Sequence, residues 1–138
     1  MPLRPRLVSA ALVSLLLAAC GGSSAGGGDS AHGGGHGEQK VTAPVDGAPE
    51  ATVTAVDLDF EPGALELKAG EATNLTVVNK GEALHDFTLA EADIHVNVPA
   101  GNEVTTAVTV EEAGSYKAIC TVPGHEDAGM VVDVTVKE

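Results

Sequence analysis

The sequence predicts an all-β protein, an antiparallel β-sandwich of seven to eight strands, and three observations support this fold class. The apolar residues of positions 51–138 are mostly Val, Leu, Ile and Ala, in short runs separated by Gly, Pro and Asn. No stretch keeps helical spacing over several turns. Runs such as Val-Thr-Thr-Ala-Val-Thr-Val at 104–110 are β-branched and bounded by turn residues, as sandwich strands are.

Eight segments are candidate strands, because each is short, apolar or β-branched, and flanked by turn-forming residues. In chain order they are residues 52–58, 64–68, 73–79, 85–89, 95–98, 104–110, 114–120 and 130–136. This domain of about 88 residues has few aromatic side chains, so a bound metal would add useful stability.

The N-terminal 19 residues have the features of an export signal. Two arginines precede an apolar run at 7–19 that is too short to span a bilayer. The Leu-Ala-Ala-Cys tetrad at 17–20 resembles the bacterial lipobox, which implies cleavage before Cys20 and a lipid on its sulfur. We therefore expect a lipoprotein anchored in the cell envelope, on the extracytoplasmic side of a membrane. An ordinary secretory signal that ends before a Cys is the alternative.

Residues 20–50 are predicted to be the lipidated Cys20 followed by a flexible linker, because they are rich in Gly, Ser, Ala, Pro and charge. The linker contains His32 and His36, which either bind a metal loosely or simply belong to a solvated tether. We favour the tether, since nothing in the segment fixes a geometry. Residues 51–138 form the predicted folded domain.

The charge of the chain is strongly negative. Removal of residues 1–19 deletes two Arg and no acid, so the net charge falls from −13 to −15. Such a surface opposes binding to nucleic acid and to anionic lipid. It favours a protein partner with a basic patch, although acidic residues also simply keep a small domain soluble. We expect a monomer.

The chain has two cysteines, Cys20 and Cys120. If Cys20 carries the lipid, Cys120 is alone in an oxidising compartment, where unpaired cysteines need an explanation. A disulfide between the two is the alternative, and it would tie a flexible leader to the domain.

Three possible soft metal ligands lie on one predicted loop, with the spacing Cys-x4-His-x4-Met from Cys120 through His125 to Met130. A thiolate, an imidazole and a thioether suit copper, and His85 is the candidate for a second imidazole. Each residue alone has an ordinary explanation: a buried thiol, a loop histidine, a core methionine. Met130 is nevertheless the only Met outside the signal segment, and it falls at the spacing of an axial ligand.

These residues resemble the type 1 copper site of the cupredoxins, the small blue-copper proteins that include plastocyanin, auracyanin and rusticyanin. The resemblance covers nearly all of residues 51–138, including Asn-Lys-Gly-Glu-Ala-Leu-His-Asp-Phe at 79–87. It implies a Greek-key sandwich that holds one copper ion through His85, Cys120, His125 and Met130. It also implies that His125 is the electron port, within an apolar patch formed by the neighbouring residues 122–124.

The resemblance further implies a contact between Asp86 and Thr121. Asp86 follows the first ligand His, and Thr121 follows the ligand Cys. The family usually has Asn at the first position, and Asp places a negative charge near the metal. A negative charge favours the oxidised ion and lowers the reduction potential, unless Asp86 is protonated or fully hydrogen-bonded. We expect Phe87 and Tyr116 to pack in the core, and His95 to be a structural residue at a surface or sheet edge.

The function that the resemblance implies is transfer of single electrons between a donor and an acceptor redox protein of the envelope. The alternative, from a different class of function, is copper storage or delivery. A copper enzyme is not expected, because Ile119 and Thr121 flank Cys120 where copper nitrite reductases and multicopper oxidases place a His. A metal-free adhesion-type sandwich is a fourth possibility, which the ligand loop disfavours.

Overall fold

The structure, a computed structural model, describes residues 41–138. Nine strands, one 3-10 turn and one short helix follow each other along these residues. The elements are β1 (Glu50–Val56), β2 (Asp59–Glu61), β3 (Ala64–Lys68), β4 (Thr73–Asn79), β5 (His85–Leu89), the 3-10 turn Ala90–Ala92, β6 (Ile94–Val98), β7 (Glu103–Val108), β8 (Gly114–Ile119), α1 (His125–Ala128) and β9 (Val131–Lys137).

Two sheets contain all nine strands. One has the order β2-β1-β4-β7 and the other the order β3-β9-β8-β5-β6. β4 and β9 alternate buried and more exposed positions, so the apolar face of each sheet turns towards the core. Phe60 of the first sheet and Phe87 of the second meet edge to face, with ring centroids 6.2 Å apart. The predicted all-β sandwich is confirmed, and Phe87 lies in its core as expected.

The sheets are mixed, whereas the sequence predicted an antiparallel sandwich. β1 pairs with β4 in parallel, and β3 pairs with β9 in parallel. The reason is topological: the chain leaves the first sheet after β2 and returns at β4, so β4 runs beside β1 in the same direction. Hydrophobic alternation reports which residues face the core, but it contains no information about strand direction.

The first predicted strand ends two residues early, and β2, which follows it, was not predicted. The segment 52–58 ends at Val56, and Asp57 has φ 51°, in the left-handed region that Asp tolerates better than most residues. The chain therefore reverses through a two-residue turn, and Val56 pairs with Asp59 of β2. The short helix α1 was also not predicted; it lies between Gly124 and Gly129, both with positive φ.

Residues of the predicted linker contact the first sheet. The Thr42 carbonyl accepts from the Ala107 N–H at 3.1 Å, and the Thr42 N–H donates to the Thr106 hydroxyl at 2.8 Å. Val45 exchanges two hydrogen bonds with the Asn74 side chain, at 2.8 and 2.9 Å. Because β7 is an edge strand, this segment covers backbone groups that would otherwise be unpaired. The ordered contacts thus begin before the predicted boundary at residue 51.

We expect a chain that starts at residue 51 to be less stable than one that starts at residue 41. The shorter chain loses the hydrogen bonds of Thr42 and Val45, the bond from the Asn74 N–H to the Pro49 carbonyl, and the first residue of β1. Each hydrogen bond contributes about 0.5–1.5 kcal/mol before discounting for exposure. The net loss should be about 1–3 kcal/mol. Urea unfolding of the two metal-free proteins measures it. Equal unfolding midpoints would show that the segment only lies on the sheet without stabilising it.

Between residues 41 and 138, no helix has the length and apolarity needed to cross a bilayer.

Candidate metal centre

Three of the four candidate ligands lie at the ends of strands in the second sheet, and the fourth lies on the loop between two of these strands. His85 opens β5, Cys120 directly follows β8, and Met130 directly precedes β9. His125 opens α1, on the loop that joins β8 to β9. Since β5 pairs with β8 and β8 pairs with β9, these ends are neighbours. His85, Cys120 and Met130 are at most 1 % exposed, and His125 is half-buried.

The structure brings the donor atoms of His85, Cys120 and His125 within 4.8 Å of one another. The two Nδ1 atoms are 3.2 Å apart. The Cys120 Sγ lies 3.5 Å from the His125 Nδ1 and 3.9 Å from the His85 Nδ1. Two imidazole nitrogens and one sulfur therefore converge on one point, as the sequence predicted. Met130 is buried at the adjacent end of the same loop.

Backbone hydrogen bonds fix the loop that presents three of the four side chains. The Cys120 N–H donates to the Met130 carbonyl at 3.1 Å, which closes the base of the loop. The Met130 N–H donates to the His125 carbonyl at 3.0 Å, and the His125 N–H donates to the Val122 carbonyl at 3.0 Å. Each ligand position is thus tied to another part of the same loop by the main chain.

Asn79, the last residue of β4, fixes the loop that leads to the fourth side chain, His85. Its side-chain N–H groups donate to the Ala83 and Val98 carbonyls, both at 2.8 Å, and its oxygen accepts from the Gly81 N–H at 2.9 Å. A Cβ at residue 81 would lie 3.1 Å from the His85 Nε2, so glycine leaves room for the imidazole. The loop therefore orients the His85 ring with its Nδ1 towards Cys120.

Burial disfavours charge on both inner ligands. Burial lowers the pKa of His85, and His125 lowers it further, against an opposite effect of Asp86 and Asp57. Burial also raises the pKa of the Cys120 thiol, despite backbone hydrogen bonds that act the other way. His85 is therefore ready to bind a cation as a neutral imidazole, whereas Cys120 must release its proton when a metal binds.

The donor set fits copper. Two imidazoles and a thiolate would hold the copper ion of a blue-copper site, and the buried thioether of Met130 would be a further, weaker ligand. Cys120 forms no disulfide among residues 41–138. Three other candidates of the sequence analysis, Cys20, His32 and His36, lie outside the described residues.

The predicted contact between Asp86 and Thr121 is present. The Asp86 carboxylate accepts from the Thr121 N–H at 3.0 and 3.1 Å and from the Thr121 hydroxyl at 2.9 Å. One carboxylate oxygen also lies 3.8 Å from the Cys120 Sγ. The carboxylate is buried, so it ties β5 to the ligand loop and places a negative charge beside the sulfur.

The sequence did not predict that Thr88 and His95 extend the hydrogen bonds of Asp86 on the side away from Thr121. The Thr88 hydroxyl donates to the Asp86 carboxylate at 2.7 Å, and the His95 Nδ1 lies 2.6 Å from that hydroxyl. His95 does lie on an edge strand, as expected, but its side chain is only 17 % exposed. The signal available in the sequence was the pair Asp86 and Thr88, which share one face of a strand by their spacing of two.

Comparison with known proteins agrees with this geometry. Residues 29–132 match the family model of the cupredoxin-like domain. The copper-resistant cuproprotein CopI of Rubrivivax gelatinosus is 31% identical over 133 residues, which covers 77% of this chain and 81% of the relative. CopI of Pseudomonas aeruginosa PAO1 is 26% identical over 130 residues, with 59% of this chain and 72% of the relative covered.

Solved structures of the same fold include two auracyanins. Auracyanin B superimposes with a TM-score of 0.62 at 22% identity, covering 72% of this chain and 96% of the auracyanin. Auracyanin A, a blue copper protein of Chloroflexus aurantiacus, superimposes with a TM-score of 0.54 at 19% identity, covering 64% and 98%. At these identities the likeness concerns the fold.

Proposed function

The chain belongs to the cupredoxin-like domain family, and from this premise we propose that it holds one type 1 copper ion and carries single electrons between two redox proteins of the cell envelope. The observation that carries the proposal is the convergence of His85, Cys120 and His125, whose donor atoms lie within 4.8 Å at one end of the sandwich. When bound there, copper supplies a one-electron couple between Cu(II) and Cu(I).

The protein contributes a site that resists rearrangement. His85 and Cys120 are buried, and hydrogen bonds of the main chain and of Asn79 fix the segments that present them. Such a site holds the ligands in nearly the same place in both oxidation states, so little reorganisation accompanies the electron. No bond to an external substrate is made or broken, and we propose a carrier rather than an enzyme.

Electron paramagnetic resonance of the copper-loaded domain tests the metal site. We expect a small parallel copper hyperfine splitting together with intense blue absorption. A large splitting, as in ordinary copper complexes, would reject a type 1 site.

Copper storage or delivery is the second candidate, because the two CopI relatives are named copper-resistant cuproproteins. Voltammetry followed by metal analysis separates the two functions. A carrier gives a reversible one-electron wave and retains its copper on reduction, whereas a delivery protein releases copper when it is reduced. The buried, preorganised donors support the carrier.

We propose that electrons enter and leave through the half-buried edge of His125. The exposed side chains of Leu58 and Leu84 lie beside His85, whose Nδ1 is 3.2 Å from that of His125. Four exposed acids also lie on the segments around this end: Asp57, Glu82, Glu126 and Asp127. An apolar centre with an acidic surround fits a partner that has a basic patch.

We expect small charged oxidants to reveal this surface. A cationic cobalt complex should oxidise the reduced protein faster as salt falls, and anionic ferricyanide should do so more slowly, because salt screens the acidic field. Replacing Glu82 and Glu126 by Gln should weaken both salt dependences. Replacement of Glu111 and Glu112 by Gln is the matched control, since it removes the same two charges at the opposite end of β8. Equal salt dependence in all variants would contradict the proposed docking surface.

We further propose that a lipid on Cys20 anchors the protein on the extracytoplasmic side of a membrane. Cys20 lies outside the described residues, so the proposal depends on the lipobox resemblance. A Cys20→Ser variant should move from the membrane fraction to the soluble fraction and lose incorporation of labelled fatty acid. Membrane association that survives this change would refute the anchor.

A further inference from the structure

A chain of hydrogen bonds connects the edge strand β6 to the carboxylate beside Cys120. The Asn97 side-chain nitrogen lies 3.1 Å from the His95 Nε2, and the His95 Nδ1 lies 2.6 Å from the Thr88 hydroxyl. The Thr88 hydroxyl in turn donates to the Asp86 carboxylate at 2.7 Å. Strand pairing builds this chain, because Thr88 is opposite His95 and Asp86 is opposite Asn97.

The direction of every hydrogen bond in the chain follows from the carboxylate. An ionised carboxylate only accepts, so the single hydroxyl hydrogen of Thr88 is used on Asp86. The Thr88 oxygen must then accept from the His95 Nδ1–H. The His95 Nε2 is left to accept from the amide of Asn97, so the hydrogen that His95 gives to the chain is the one on Nδ1. All the donors point towards Asp86.

The charge that this chain compensates lies close to the metal ligands. The Asp86 carboxylate is buried, and one of its oxygens is 3.8 Å from the Cys120 Sγ. Thr121 donates to it from the loop side, and Thr88 donates from the strand side. Donors aligned in a chain polarise one another, so the hydroxyl of Thr88 disperses more negative charge when His95 donates to it.

We propose that Thr88 and His95 are positioning residues that set the reduction potential of the copper site through Asp86. They disperse the negative charge of the carboxylate. The reduction potential is therefore higher than it would be if Asp86 lacked the hydrogen bonds of Thr88 and His95. Neither residue is a ligand, and the imidazole of His95 acts only through Thr88. This inference rests on the proposed copper site and goes beyond it, because it assigns a role to side chains on the far side of Asp86.

The test compares midpoint potentials of copper-loaded variants at one fixed pH. In Thr88→Val, we expect the midpoint potential to fall by about 30–60 mV. At the wild-type midpoint potential, this fall raises the ratio of Cu(II) to Cu(I) about three- to tenfold. His95→Leu should shift the potential in the same direction by a smaller amount. Unlike His95→Leu, His95→Asn should keep most of the wild-type midpoint potential, because the asparagine amide N–H can donate to Thr88 in place of the Nδ1–H.

Three controls separate this role from a merely structural one. Asp86→Asn should shift the potential upward, opposite to Thr88→Val, whereas general loosening of the site would move both variants the same way. In the Asp86→Asn background, Thr88→Val should have little further effect, because the charge to be dispersed is gone. Thr76→Val, which removes a hydroxyl bonded to Thr105 at 2.8 Å in the other sheet, should leave the potential unchanged.

A measurement on the metal-free protein is independent of copper. Nitrogen NMR of His95 in the wild-type protein should find the proton on Nδ1. A proton on Nε2 would overturn the proposed direction of the hydrogen bonds. This measurement does not depend on whether any variant folds. Unchanged or higher potentials in Thr88→Val and His95→Leu would also overturn the inference. Absence of blue absorption in the wild-type protein would instead reject the proposed function, so the two failures are distinguishable.

Discussion

A Cys120→Ser variant will bind copper without the intense blue absorption and without a small parallel hyperfine splitting. Both properties come from a thiolate bound to copper, and Cys120 is the cysteine whose sulfur lies within 4.8 Å of both histidine nitrogens. A serine hydroxyl is a hard, neutral oxygen that does not replace a thiolate for Cu(I). We therefore expect complete loss of the blue band, measured by visible absorption after stoichiometric copper addition.

The matched control is Cys20→Ser, the same chemical change in the predicted tether. This variant should retain the full blue absorption, because the proposed role of Cys20 is lipid attachment. If Cys120→Ser kept the band, the assignment of Cys120 as the thiolate ligand would be wrong. If the alternative of a disulfide held, Cys120 would have no thiolate to offer, so the wild-type protein would lack the blue band and Cys20→Ser would gain it.

An Asp86→Asn variant will have a higher reduction potential than the wild-type protein. The change removes one negative charge 3.8 Å from the Cys120 Sγ, and that charge favours the more positive Cu(II). Two unit charges about 5 Å apart interact by about 3 kcal/mol at an effective dielectric constant of about 20, which gives the scale of the change in free energy between Cu(II) and Cu(I). At 59 mV per tenfold change, the shift is then on the order of 100 mV, and the donors around the carboxylate should reduce it.

Protein-film voltammetry measures this shift, with Glu112→Gln as the control for net charge. Glu112 lies just before β8 and Cys120 just after it, so about 20 Å of strand separates them, well beyond the screening length at physiological salt. The control should leave the potential nearly unchanged. A potential in Asp86→Asn that is equal to or below that of the wild-type protein would contradict an ionised carboxylate at this site.

Local sequence determined the ligand loop. Cys120, His125 and Met130 are separated by only four residues each, and the loop closes on itself through the bond between the Cys120 N–H and the Met130 carbonyl. A pattern confined to one loop between two paired strands can be read from the sequence. His85, which is 35 residues from Cys120 along the chain, was assigned from its local context and from the need for a fourth ligand, because no spacing rule connects it to the loop.

Elements that depend on backbone reversals were harder to predict. The turn at Asp57 that separates β1 from β2 and the short helix α1 between two glycines are set by a few dihedral angles. A hydrophobic pattern contains no record of these angles. The contacts of Thr42 and Val45 were missed for a related reason, because a polar segment rich in Gly and Pro forms them through main-chain atoms.

The sequence by itself determined that this chain is an all-β sandwich and that its soft donors are spaced for copper, because alternation and loop spacing are local properties. Only the tertiary structure decided which polar residues act on those donors. Asp86 and Thr88 share a face of β5, but His95 meets Thr88 because of the register between β5 and β6. Since a shift of one residue would turn every side chain to the opposite face, register is a property of the whole sheet.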